Sequence, residues 1–210
     1  MNNNNSTILY IFFTHKLNFN NVYTKIKTMM SNLNNKNYII IKGIDLESYY
    51  DKDEQVLNIN CNDKYEGLPE KVLKTFQYIV NNIEFNNYNY FFKLDDDMII
   101  NKLINENDIK NYNYCGKVNI SYNGNRKWHI GKCSKNSKFN TMEYKGNYIP
   151  WCLGGYGYII SRNAINLIKN NTNYKEHIYE DLYISLLLNE NNIKPIHINI
   201  QNYVISPDHY

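Results

Sequence analysis

The chain has 210 residues, 43% of them hydrophobic and 20% charged, with a formal net charge of +3. That length can bury a sizeable core without disulfides or a structural metal, and the composition excludes a disordered chain. The small charge is spread along the sequence, too weak a bias to argue for nucleic-acid binding, which usually shows a dense basic face.

The chain opens on an asparagine run, and residues 1–7 read as a disordered tip of a single domain spanning 8–210. Asparagine recurs throughout, 40 times, beside 21 tyrosines and a single alanine, Ala164. Asn is a poor former of helix and strand, so folding does not ask for it, and the bias reads as the imprint of an AT-rich coding sequence. Residues 8–13, Ile-Leu-Tyr-Ile-Phe-Phe, form a continuous apolar run that predicts a strand buried on both faces. The run is far short of the ~20 residues that span a bilayer, and it lacks the flanks of a signal peptide. The sequence therefore predicts a soluble, cytoplasmic protein with no transmembrane segment. Val22, Ile26, Met29, Met30 and Leu33 recur at helical spacing. Residues 38–41 and 56–59 read as two more buried strands. The clearest helix spans 68–83, with Pro69 in its first turn and Val72, Phe76, Ile79 and Ile83 along one face. Residues 90–94 predict a strand that runs straight into Asp95-Asp96-Asp97.

Beyond residue 100 the pattern weakens. Residues 112–118 suggest a strand, and 121–145 a long, lysine-rich, flexible loop of the kind that often binds or covers a ligand. Residues 157–160 read as a strand, Ser161 as the N-cap of a helix through Ile165, Leu167 and Ile168, 181–190 as a further helix, and 196–200 as a last strand. Four cysteines lack any CxxC spacing, which argues against zinc. Free thiols are expected, with a Cys115–Cys133 bridge as the alternative in an oxidising compartment. Strand–helix alternation of this kind predicts an α/β domain with a largely parallel sheet. Ligands of such sheets bind beyond the carboxyl ends of the strands, where the acidic triplet falls.

Three segments carry chemistry. In Lys93-Leu94-Asp95-Asp96-Asp97-Met98-Ile99-Ile100, three carboxylates stand between apolar runs. Like charges held that close raise one another's pKa, and a divalent cation relieves the repulsion. Oxygen ligands favour a hard ion, Mn2+ or Mg2+, which can bridge the phosphates of a nucleotide. The bland reading is a solvated acidic turn. In 151–161, glycines at 154, 155 and 157 imply unusual dihedrals or close approach to a ligand, or simply a tight turn before a strand. Glu180 and Asp181 open a helix, where the dipole favours carboxylates; a general base is the functional reading.

Taken in order, KLDDDMII, GGYGYIIS and EDLYIS resemble the Fringe-like and β-1,3-galactosyltransferase group of glycosyltransferases over most of 8–200. The stretch 58–65 and the helix around 71–75 resemble that group's acidic segment and the helix after it. The resemblance implies a GT-A fold and a metal-dependent, inverting transfer of a hexose or N-acetylhexosamine. The donor would be a UDP-sugar and the acceptor a hydroxyl of a glycan or glycoprotein. It implies that Asp97 binds the metal, that Asp95 faces the ribose or a metal-bound water, and that Asp96 lies on the donor side. Asp181 matches the base, with Glu180 in reserve; Gly154 and Gly155 would lie against the transferred sugar and Trp151 near the acceptor. A late histidine ligand would be His209, with His197 as the alternative. The group's Arg/Trp-containing basic motif is represented only by Lys27, a weak substitute, and Thr14 at the end of the first strand is the better nucleotide contact. Two other readings stay open: a non-catalytic glycan or nucleotide-sugar binding module on the same fold, and another metal-dependent phosphate enzyme.

Overall fold

The structure, a computed structural model, describes residues 7–121 and 124–206. Residues 1–6 of the expected disordered tip lie outside the described residues, whereas the Thr7 carbonyl accepts the amides of Asn89 (2.8 Å) and Tyr90 (3.2 Å). The first half alternates as expected. Strand β1 (Ile8–Thr14) is buried at all seven positions and leads into helix α1 (Phe19–Asn32). Next come β2 (Tyr38–Ile44), β3 (Tyr49–Asp51), β4 (Val56–Asn60), helix α2 (Leu68–Asn81) and β5 (Tyr90–Asp95). The second half uses shorter pieces: β6 (Ile99–Ile100), β7 (Tyr114–Gly116), β8 (Val118–Asn119) and β9 (Trp151–Cys152). It closes with β10 (Tyr158–Ser161), α3 (Arg162–Ile168), α4 (Glu180–Glu190), β11 (Ile196–His197) and β12 (Val204–Ile205).

Eight strands form the central sheet in the order β11-β7-β10-β5-β1-β2-β4-β3. Within it β3 and β10 run against the other six, so the sheet is mostly parallel. Strand β1 shows why the apolar run had to be continuous. Leu9, Ile11 and Phe13 face one core with α2, α3 and α4, while Ile8, Tyr10 and Phe12 face a second core with α1. Each such side chain, fully buried, stabilises the fold by roughly 1.5–3 kcal/mol. The ribbon β6–β12 closes the α1 side by pairing Ile100 with Val204.

Some boundaries differ from the sequence reading. Helix α2 stops at Asn81, and Ile83 falls in a following short turn, 81% exposed, rather than on the buried face. Leu167 is also exposed. The strand expected last, at 196–200, is only Ile196–His197, and β12 follows it. Ser161 does cap α3: its Oγ accepts the Ala164 amide at 3.1 Å. All four cysteines are buried and free, including Cys115 and Cys133. Among the described residues, no helix is long and apolar enough to cross a membrane.

The topology also fixes where a site can lie. From β1 the chain passes to β2 on one side, and later returns as β5 on the other. A crevice opens at the carboxyl ends of strands that part in this way. Those ends are Thr14 and Asp95.

Candidate active site

The acidic triplet turns outward because its flanks are anchored. Phe91, Phe92 and Leu94 before it and Met98 and Ile100 after it are all buried, so the chain must reverse over 95–97. A cavity of about 600 Å³ opens there, with Asp95, Asp97, Gly154, Gly155, Glu180 and Asp181 in its wall. The triplet, the glycine turn and the start of α4 thus converge on one hollow, from segments spread over more than 80 residues (181 − 95 = 86). Asp96 does not line the hollow.

Lys93 ties these parts together. Its ammonium is buried, 2.6 Å from Asp95 Oδ1 and 3.3 Å from Glu180 Oε2. The Tyr158 hydroxyl donates to Glu180 Oε1. Burial alone would lower the pKa of Lys93, but the Asp95 and Glu180 carboxylates outweigh it and hold the group above the usual lysine value, so the ion stays charged. Burial pushes Glu180 up to about 7, against the pull of Lys93 and with a further push from Asp181.

Asp181 is held differently. Its Oδ2 accepts the Gly154 amide at 2.9 Å and its Oδ1 the Leu182 amide at 2.8 Å. Burial raises its pKa, opposed by those two N–H groups. Gly154 lets the two segments dock this closely: a Cβ there would stand 3.2 Å from the Asp181 Cβ, so a larger residue would push the pair apart by a few tenths of an ångström. Gly157 sits at φ 76°, and a Cβ on it would come 2.8 Å from the Lys93 carbonyl oxygen, so this position takes glycine for both reasons.

On the β1 side, Thr14 is buried and its carbonyl accepts from Lys71 Nζ at 2.5 Å. Lys71 also pairs with Asp63 Oδ1 at 2.5 Å, and Asp63 Oδ2 accepts the Lys16 amide at 2.6 Å. A buried ion pair from α2 and the loop before it therefore fixes the turn after β1. Sequence reasoning marked this stretch but gave neither residue a role; the signal was a lysine among the mostly apolar positions of the inner face of α2.

Not every expected residue arrives. Lys27 Nζ contacts the Tyr23 hydroxyl (2.7 Å) and Glu54 Oε2 (3.3 Å). Glu54 precedes β4, so Lys27 works at the amino ends of the parallel strands, across the sheet from Thr14 and Asp95. His197 lies on edge strand β11, where its Nδ1 accepts the Val118 amide at 3.2 Å, and it does not reach the cavity. His209 lies outside the described residues. Trp151 lines the cavity but is 7% exposed, packed on Tyr148 at 5.5 Å between ring centres. The loop expected to be flexible is tied down: His129 is fully buried between the Tyr179 hydroxyl and the Met142 carbonyl (2.9 Å each), and Arg126 Nη1 donates to the Tyr144 carbonyl at 2.7 Å. Among the described residues, no three His, Cys, Asp or Glu side chains are arranged to hold a metal by themselves.

The model of the family described as Galactosyltransferase matches residues 34–199. The chain belongs to the Galactosyltransferase family. The matched span contains the triplet, the glycine turn and Glu180–Asp181, while Thr14, Lys27 and His209 fall outside it. An α/β fold with a mostly parallel central sheet, expected for this family, is the one the chain adopts. Among curated proteins the chain is similar to protein Ycf2 of Marchantia polymorpha, 30% identical over 135 residues. That match takes in 63% of this chain and only 6% of Ycf2, so the chain spans a small part of that relative's length. Among solved structures it is similar to a putative glucose-1-phosphate thymidylyltransferase from Bacillus anthracis: TM-score 0.47, 10% identity, 91% of this chain and 87% of the other. It is also similar to the mannosyltransferase Ktr4p from S. cerevisiae: TM-score 0.44, 12% identity, 88% and 66%. The family match carries the assignment.

Proposed function

We propose that this Galactosyltransferase-family chain transfers a hexose or N-acetylhexosamine from a UDP-sugar to an acceptor hydroxyl, with inversion. The observation that supports it best is the convergence of Asp95, Asp97 and Asp181 on one cavity, with Asp181 oriented by two backbone amides. Each Asp181 oxygen accepts one N–H and keeps a lone pair, and its raised pKa strengthens it as a base. It takes the acceptor proton as the acceptor oxygen bonds to the anomeric carbon and the bond from that carbon to the diphosphate oxygen breaks. Glu180 is less suited to that task, because Tyr158 and Lys93 engage both its oxygens and it is buried.

The donor set suits a hard divalent cation. Two aspartates of one turn offer oxygen ligands, and ions of the Mg2+ type take one or two carboxylates and complete their shell with waters and phosphate oxygens. Mn2+ or Mg2+ held by Asp97 and Asp95 would supply charge neutralisation to the departing nucleoside diphosphate. The Asp63–Lys71 pair holds the turn after Thr14, where the nucleotide would rest.

Asp181→Asn tests the role of the base. Asn keeps an acceptor for the Gly154 amide and gives up only the one for Leu182, whose N–H lies in the first turn of α4 where helix N–H groups lack intrahelical partners, so the fold and donor binding should survive. Transfer should fall by roughly 10²–10⁴-fold, the usual contribution of a positioned base. A variant that folds but no longer binds donor, or one that transfers at the wild-type rate, contradicts this role.

A further inference from the structure

We infer that Trp128 is the platform on which the acceptor stacks, and that this acceptor is a saccharide presented by the apolar face of one pyranose ring. The inference rests on the transferase reading of the same cavity. Trp128 lines the hollow that contains Asp95 and Asp181, yet 58% of it is open, whereas Trp151 in the same wall is 7% exposed. A large aromatic ring left open in the wall of a concave hollow is a surface that a ligand of that hollow can cover. Trp151 is already part of the packed aromatic cluster, so it shapes the wall and offers little free surface.

The ring is held ready. Lys132 Nζ stands 3.3 Å from the centre of the Trp128 ring and covers one of its faces, so the acceptor stacks on the opposite face. The Trp128 amide closes a turn onto the Asn125 carbonyl (3.2 Å), and that carbonyl also accepts the Tyr179 hydroxyl (2.8 Å). The next residue, His129, is fully buried and contacts the same hydroxyl at 2.9 Å. Tyr179 is the N-cap of α4, two residues before Asp181. The turn that presents the indole is therefore bonded to the residue that starts the helix carrying the base. A pyranose joins an apolar C–H face to a hydroxylated edge, so a ring lying on the indole can turn one hydroxyl toward Asp181. A serine or threonine hydroxyl on a peptide brings no such face.

The test compares wild type, Trp128→Ala and Trp128→Phe. Donors are UDP-galactose, UDP-N-acetylglucosamine and UDP-glucose with Mn2+. Acceptors are fluorescently tagged pyranosides of galactose, N-acetylglucosamine and N-acetylgalactosamine, alongside a tagged Ser/Thr peptide. Donor hydrolysis without acceptor is read separately from transfer. The expected result is transfer to a pyranoside, with acceptor KM raised about tenfold in Trp128→Ala and largely restored in Trp128→Phe. Donor hydrolysis should stay at the wild-type rate in both variants. An unchanged acceptor KM in Trp128→Ala overturns the inference. So does a fall of hydrolysis and transfer together, transfer to the peptide alone, or hydrolysis with no transfer to any pyranoside. A wild type that turns over no donor overturns the transferase reading itself, and the inference with it.

Discussion

Glu180 and Asp181 are neighbours in sequence with different duties in the cavity. Glu180 faces the Lys93 ammonium and the Tyr158 hydroxyl, and burial raises its pKa from 4.5 to about 7. A carboxyl raised in this way binds more protons folded than unfolded between those two values, so its contribution to stability is greatest below about pH 4.5 and is lost as pH rises toward 7. Urea unfolding of wild type across pH 4.5–7 should show that falling contribution, and Glu180→Gln should flatten the slope because the group no longer titrates. Equal slopes in the two proteins would mean that Glu180 does not hold a proton in the fold. At this scale the three contiguous motifs were legible, because Asp95–Asp97, Gly154–Gly155 and Glu180–Asp181 each announce their chemistry locally. Lys93 was not, since its meaning lies in a partner 87 positions later (180 − 93 = 87). Lys27 misled for a related reason: a helix face, and not the sequence offset, sets whether its side chain meets Glu54 or the crevice.

Among elements, α2 and the loop before it matter most to the side of the cavity proposed to take the donor. The Lys71–Asp63 pair is buried at both ends, with side chains 4% and 6% exposed, and it also grips the Thr14 carbonyl. Removing one partner strands a buried charge. Lys71→Met should therefore destabilise the protein by about 3 kcal/mol, at the low end of what a broken buried pair costs. Adding Asp63→Asn should recover much of that loss. Urea titrations at constant m-value would measure both, and a single variant as stable as the double would show that the pair is not coupled. Long elements were readable here because periodicity governs them, as in β1, α2 and β5. The two-residue strands β6, β9 and β12 were not, because long-range pairing creates them: Ile99–Ile100 becomes a strand only by meeting Val204–Ile205. Ile83 fits the helical pattern of α2, yet the helix ends two residues earlier and leaves it in water.

For the whole molecule, the decisive feature is topological. A mostly parallel sheet whose order reverses at β1 brings Thr14 and Asp95 to one edge, and the antiparallel β10 follows the glycine turn that faces α4. The fold class could be read from alternation alone, but the meeting of three distant segments in one cavity could not, since β7, β10 and β11 join the sheet in an order no local pattern reveals. The proposed activity depends on that meeting, and above all on metal-linked donor binding at Asp97. The most direct measurement is the melting temperature together with UDP release for wild type and Asp97→Ala, each with UDP-galactose, UDP-N-acetylglucosamine and UDP-glucose, with and without Mn2+. The expected result is a Mn2+-dependent rise in Tm and slow UDP release with one of these donors, both lost in the folded Asp97→Ala protein. No shift with any donor in folded wild type, or Mn2+-stimulated release that persists in Asp97→Ala, would contradict the acidic turn as the donor site.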